Sequence, residues 1–131
     1  MKLDSRKFSQ EAHTALVELK NDLDSEFHSK ASSLVQGLSS YIATWGLHRL
    51  SGDAKKFLNG TASNTRYKGI VYQKFLTKLK SLSQIYFDVE DEGTLIHLPL
   101  RKYTALNHLA LQLAKEWSFW APAVLGEAKE N

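Results

Sequence analysis

Apolar residues recur at helical spacing almost without interruption from Phe8 to Trp45, and no other feature constrains the fold of this chain as tightly. Phe8, Ala12, Ala15, Leu16, Leu19 and Leu23 recur at helical spacing, and Phe27, Ala31, Leu34, Leu38, Ile42 and Trp45 continue the phase. Residues so spaced share one face of an α-helix, and that face must be buried. Asp4 and Ser5 stand before the run as N-cap candidates. The stretch "NDLDS", Asn21 to Ser25, is rich in weak helix formers and cap residues, so a break is expected there, giving two helices.

The second helix ends in "YIATWGLHRL", Tyr41 to Leu50, where a Trp runs directly into a glycine. Gly46 is expected to stop the helix in the left-handed conformation, with Trp45 and Leu47 both packing inward. A short third helix carries Leu47, Leu50, Ala54, Phe57 and Leu58 on one side, with Gly52 inside it. Asn59 to Thr65, "NGTASNT", reads as a loop. A further helix starts near Thr65, with Tyr67, Val71, Phe75, Leu79, Leu82 and Tyr86 in phase.

The period then changes. Ile85, Phe87 and Val89 alternate with polar or amphipathic residues, and Leu95 and Ile96 follow the acidic turn "DVEDEG". That pattern predicts a small β-hairpin near residues 85–98, the alternative being a helix end followed by an irregular loop. The last helix runs from about Arg101 to Trp120, with Leu106, Leu109, Ala110, Leu113, Trp117 and Trp120 on one stripe and Pro122 limiting its continuation. Trp45 and Trp117 read as core; Trp120 reads as core or, with Phe119, as an anchor for a partner. The tail "GEAKEN" is expected to fray. The expected architecture is all-α: a compact bundle of about five helices with one hairpin, forming a single helical domain over residues 1–131.

Composition narrows the functional classes. The 131 residues are 43% hydrophobic and 24% charged, which is globular usage with room for one core. The absence of cysteine removes disulfides, thiolate metal sites and a cysteine nucleophile, and fits a cytoplasmic protein. No secretory signal and no membrane-spanning stretch is read. The five histidines, His13, His28, His48, His97 and His108, are scattered without metal-ligand spacing. The glycines stand singly, so no phosphate-binding loop is read, and no nucleophilic serine motif occurs. No catalytic residue, metal or cofactor is therefore assigned. The acids of "DVEDE" read as a solvated turn, because the full spacing of a calcium loop is missing.

Charge distribution is the stronger signal. Net charge is only +3, yet Arg49, Lys55, Lys56, Arg66, Lys68, Lys74, Lys78 and Lys80 fall within one segment against a single acid, Asp53. Bases so concentrated on two consecutive helices suit a polyanion, because each neutralised phosphate releases counterions. Ordinary solvation of the two helices is the alternative.

Two resemblances extend this reading. "RKYTALNH" resembles the R-x4-6-H signature of the all-helical HEPN ribonucleases. That likeness would give Arg101 the phosphate-positioning role and His108 the cleavage role, although Lys102 stands where a polar Asn, Asp or His is common. The order of elements as a whole resembles the small-subunit family of type III-B CRISPR effector (Cmr) complexes. The likeness is carried by "SRKFSQEAHTALVEL", the turn Trp45-Gly46-Leu47, "KKFL" and "YTALNHLALQLAKEWSFW", and spans most of Arg6 to Trp120. The segment "DVEDEGTLIHLPL" departs from it. The resemblance implies a non-enzymatic, RNA-binding subunit of an antiviral defence ribonucleoprotein. Its partners would be guide RNA, target nucleic acid, other effector subunits and further copies of itself, with no membrane. The eight bases from Arg49 to Lys80 would contact phosphates. A helical protein-interaction adaptor is the remaining alternative.

Overall fold

The computed structural model describes residues 5–128. Asp4 and the end of the tail, residues 129–131, lie outside them. The described residues form seven α-helices and no strand, where about five helices and a hairpin were expected. They are α1 (Ser5–Asp22), α2 (His28–Gln36), α3 (Leu38–Trp45), α4 (Leu47–Leu58), α5 (Ser63–Ser83), α6 (Glu92–Ile96) and α7 (Leu100–Leu125).

The break at Asn21–Ser25 forms as its composition predicts. Helix α1 ends at Asp22, and a 3-10 turn at Ser25–Phe27 leads into α2. The His28 ring seals the end of α1. Its Nε2 lies 2.8 Å from the Lys20 carbonyl and 3.0 Å from that of Leu23, so the ring N–H answers carbonyls left open by the helix end. The expected second helix is instead two, because Gly37 interrupts it. There the Gly37 N–H donates to the Leu34 carbonyl, three residues back, at 3.1 Å, and the helix restarts at Leu38.

Gly46 is both the end of α3 and the start of α4. Its N–H donates to Ile42 and its carbonyl accepts from Leu50, so no loop is needed. The conformation, φ 85° and ψ 165°, has the positive φ expected but an extended ψ, so it is not the left-handed helical cap. The extended ψ re-aims the chain. Leu47 is fully buried as expected, whereas Trp45 is 51% exposed and is not a core residue. Ile42, one turn earlier, fills the inward position instead.

Among the described residues, helices α4 and α5 make the most extensive helix–helix contact, and they are joined by only Asn59–Ala62, a shorter loop than predicted. Gly69 permits the approach: a Cβ there would stand 2.7 Å from Leu58 Cγ and 2.8 Å from the Leu58 backbone nitrogen. Gln84, at φ 59°, closes α5 in the left-handed conformation.

The predicted hairpin does not form. Ile85, Phe87 and Val89 do alternate, but no strand pairs with them, and Phe87 drops into the core. The residues after the acidic turn become helical because the turn supplies a cap: Asp91 accepts from the Gly93 N–H at 2.9 Å. Thr94 braces the loop, accepting from the Asp88 N–H at 2.8 Å. Leu95 is thereby buried, and α6 packs on α4.

Helix α7 is the central element and packs against α1, α2, α3 and α5. Trp117, fully buried, meets Phe75 edge-on with ring centroids 5.1 Å apart. Ser9 donates to Glu116, tying α1 to α7. Pro122 does not stop the helix. It lacks an N–H, yet the turn continues to Leu125 and closes where the Gly126 N–H reaches the Pro122 carbonyl at 3.1 Å. No helix among the described residues is long and apolar enough to cross a membrane.

Candidate nucleic-acid interface

The eight bases singled out in the sequence separate into distinct environments. Three of them, Arg49, Lys56 and Lys68, lie over the rings of Trp45 and Phe57. The Arg49 guanidinium is 4.7 Å from the centre of the Trp45 ring. The ammonium groups of Lys56 and Lys68 are 4.9 and 5.5 Å from the centre of Phe57. Phe57 in turn meets Tyr72 at 6.1 Å, and Tyr72 meets Tyr41 at 5.8 Å. Cations held on rings keep their charge turned outward while their stems cover apolar surface.

Asp53 organises the middle of this surface. It accepts the Tyr41 hydroxyl at 2.6 Å and pairs with Lys56 at 3.5 Å. Burial, then the hydrogen bond to Asp53, pushes the Tyr41 phenol far above its ordinary pKa. Burial, helped by the Asp53 charge, pushes Tyr72 up to about 12. Both rings therefore remain neutral hydrogen-bonding and stacking groups at physiological pH.

The other five bases have local partners. Lys55 pairs with Glu92 of α6 at 3.3 Å. Arg66 donates to the carbonyls of Leu58 and Gly60, closing the end of α4. Lys74 reaches Glu18 at 3.2 Å and Asp22 at 3.1 Å, and Lys78 reaches Glu18 at 3.1 Å. Lys80 lies over the exposed ring of Tyr86 at 4.9 Å. Helix α1 thus neutralises two lysines that the sequence presents as free charge, across 56 and 60 residues of chain.

The structure adds residues that charge counting overlooks. Trp45 and Tyr41 belong to the surface, and Lys30 of α2 joins it through Phe27. Its ammonium is 5.7 Å from the centre of Phe27, which stacks on Tyr67 at 5.2 Å. Tyr41, Trp45, Arg49 and Asp53 stand at intervals of four residues, but it is the corner at Gly46 that folds Asp53 back onto Tyr41.

The remaining candidate residues are dispersed. Arg101 and His108 are both exposed on α7, seven residues apart and so on one side of the helix. His48 faces the Tyr103 hydroxyl at 2.8 Å, and His13 meets Trp120 edge-on at 6.0 Å. Trp120 is half-buried, with Phe119 exposed beside it. In the acidic turn, Asp88 and Asp91 accept backbone N–H groups and Glu92 holds Lys55. Among the described residues no three His, Asp or Glu side chains converge as metal ligands do.

Comparison with family models, with curated proteins and with solved structures gives no match. Among the described residues, fold and site together define an all-helical protein with cations backed by aromatic rings at Arg49, Lys56 and Lys68.

Proposed function

We propose that this chain is a non-catalytic nucleic-acid-binding subunit, the small subunit of a CRISPR RNA-guided effector ribonucleoprotein of the type III-B kind. The observation that carries the binding role is the placement of Arg49, Lys56 and Lys68 over the rings of Trp45 and Phe57. Cations beside aromatic rings suit nucleic acid twice over: the charges take phosphates, and the rings accept bases without regard to sequence. The identity of the complex rests on the sequence resemblance. On this reading the partners are guide RNA, target nucleic acid and neighbouring effector subunits in the cytoplasm, and catalysis belongs to other subunits.

The test is binding to single- and double-stranded RNA and DNA at low and moderate salt. Reversing charge at Arg49, Lys56 and Lys68 is expected to weaken binding more than about tenfold and to flatten its salt dependence. Affinity unchanged by all three reversals would overturn the binding role. Co-purification with a guide RNA and backbone subunits tests the identity of the complex.

Arg101 and His108 sustain a second reading, because both are exposed on one side of α7. A HEPN-like ribonuclease would cleave RNA without metal and lose that activity in His108→Ala; intact RNA after incubation with the wild-type chain removes this reading.

A further inference from the structure

Beside the cationic surface, a groove of about 290 Å³ opens between α5 and the α2–α3 pair. Tyr41, Tyr67 and Tyr72 line it together with Leu34, and Lys30 and Lys68 stand at its edge. No acid lines it. Asp53 touches one lining residue, and its charge is taken up by the Tyr41 hydroxyl and Lys56. The groove is therefore lined by tyrosines with Leu34 and Ser33, mixes polar and apolar surface, and is positive at the rim.

We infer that this groove seats one unpaired nucleobase of a single strand, with the adjoining phosphates held by Lys30 and Lys68. This rests on the nucleic-acid reading and narrows it. The volume lies near the lower bound, roughly 300 Å³, of small-molecule sites, so it suits one planar base and not a helix. A base within a duplex is stacked and paired and cannot enter, whereas a base in a single strand can turn out of the stack onto protein rings. Two lysines separated by rings match the chemistry of a nucleotide, in which anionic phosphates flank an apolar, hydrogen-bonding plane. An acidic peptide would use the lysines and leave the rings unanswered.

Gly37 supplies the means of testing this. It lines the groove, its φ of −92° is ordinary for any residue, and a Cβ there meets only the carbonyls of Leu34 and Ser33, at 3.6 and 3.9 Å. Gly37→Leu therefore fills open space without straining the backbone. The probes are a single strand of about twelve nucleotides, its duplex, and the same single strand with the bases removed as abasic sites. The wild-type chain is expected to bind the intact strand about 5- to 100-fold more tightly than the abasic strand. In Gly37→Leu that preference is expected to shrink while affinity for the abasic strand holds. Lys30→Ala with Lys68→Ala is expected to weaken both single strands.

Equal affinity of the wild-type chain for intact and abasic strands would overturn the groove assignment and leave phosphate binding standing. So would a base preference that survives in folded Gly37→Leu, or duplex binding as tight as that of the single strand. Binding of none of the three probes would overturn the nucleic-acid reading itself. Equal wild-type affinity overturns the assignment without any variant, whereas a wild-type preference is credited to the groove, and not to the rings of Trp45 and Phe57, when Gly37→Leu shrinks it.

Discussion

The Tyr103 hydroxyl lies 2.8 Å from His48 Nδ1 and occupies the space that a side chain at Gly46 would need. Helix α7 thus reads the corner between α3 and α4 directly. Two independent constraints fall on Gly46, its positive φ and this contact. Gly46→Ala is expected to lose about 2–4 kcal/mol of stability. Adding Tyr103→Phe should recover only part of that, since the backbone conformation remains. Urea denaturation of the single and double variants checks both statements; equal stability of Gly46→Ala and wild type would refute them.

Two glycines of the α4–α5 pair should respond in opposite directions. Gly69→Ala drives a methyl group against the Leu58 backbone and is expected to cost about 1–3 kcal/mol. Gly52, inside α4, has no heavy atom within 4 Å of its added Cβ, so Gly52→Ala is expected to gain about 0.5–1 kcal/mol. Thermal melts of the two variants measure the difference in sign.

The Glu18 cluster predicts a pH window. Hydrogen bonds from Lys78 and Lys74 hold the Glu18 carboxyl below its ordinary pKa. Its contribution is therefore present above the ordinary carboxylate range and fades as pH falls through the lowered value. For Lys74, burial acts downward, but the hydrogen bonds to Asp22 and Glu18 outweigh it and raise the pKa. Its contribution is present below the ordinary lysine range and is lost as pH rises through the raised value. The stability gap between wild type and Glu18→Gln should be flat near neutrality and close towards both extremes. With the Glu18 side chain 42% exposed, the gap should stay below about 1 kcal/mol and shrink with salt. A gap that persists in strong acid would contradict this.

Trp45 separates binding from stability. It is half exposed and supports Arg49, so Trp45→Ala should change folding stability by less than about 0.5 kcal/mol. On the proposed function, the same variant should weaken single-strand binding about 5- to 100-fold. Fluorescence anisotropy paired with a thermal melt reads the two effects separately. A destabilised Trp45→Ala, or one that binds as well as wild type, would count against the assigned surface.

Most of the helical frame is legible in the sequence because periodicity and breakers are local properties. The stripe from Phe8, the break at Asn21–Ser25 and the burial of Leu47 and Trp117 all follow from residues close in the chain. What the sequence conceals depends on distant partners. Periodicity placed Trp45 inward, yet Leu38 and Ile42 form the buried side of α3 and Leu47 takes the inward place after the corner, leaving Trp45 half exposed. Alternation over Ile85–Val89 suggested a strand, but a strand needs a neighbour, and Asp91 instead caps a helix. Charge counting gathered eight bases, and only folding separates Lys74 and Lys78, matched by α1, from Arg49, Lys56 and Lys68 on their rings. The groove beside Tyr41 draws on α2, α3 and α5, so no single window of sequence displays it.

The central place of α7 sets an order of assembly. Helices α4 and α5 are neighbours in sequence and can pair as soon as both leave the ribosome. Much of the inward faces of α1, α2 and α3 is covered only by a helix that begins at Leu100. At synthesis rates of about 5–20 residues per second, that leaves apolar surface uncovered for several seconds. Helix α7 is thus the keystone that covers the surface left open by the first half of the chain.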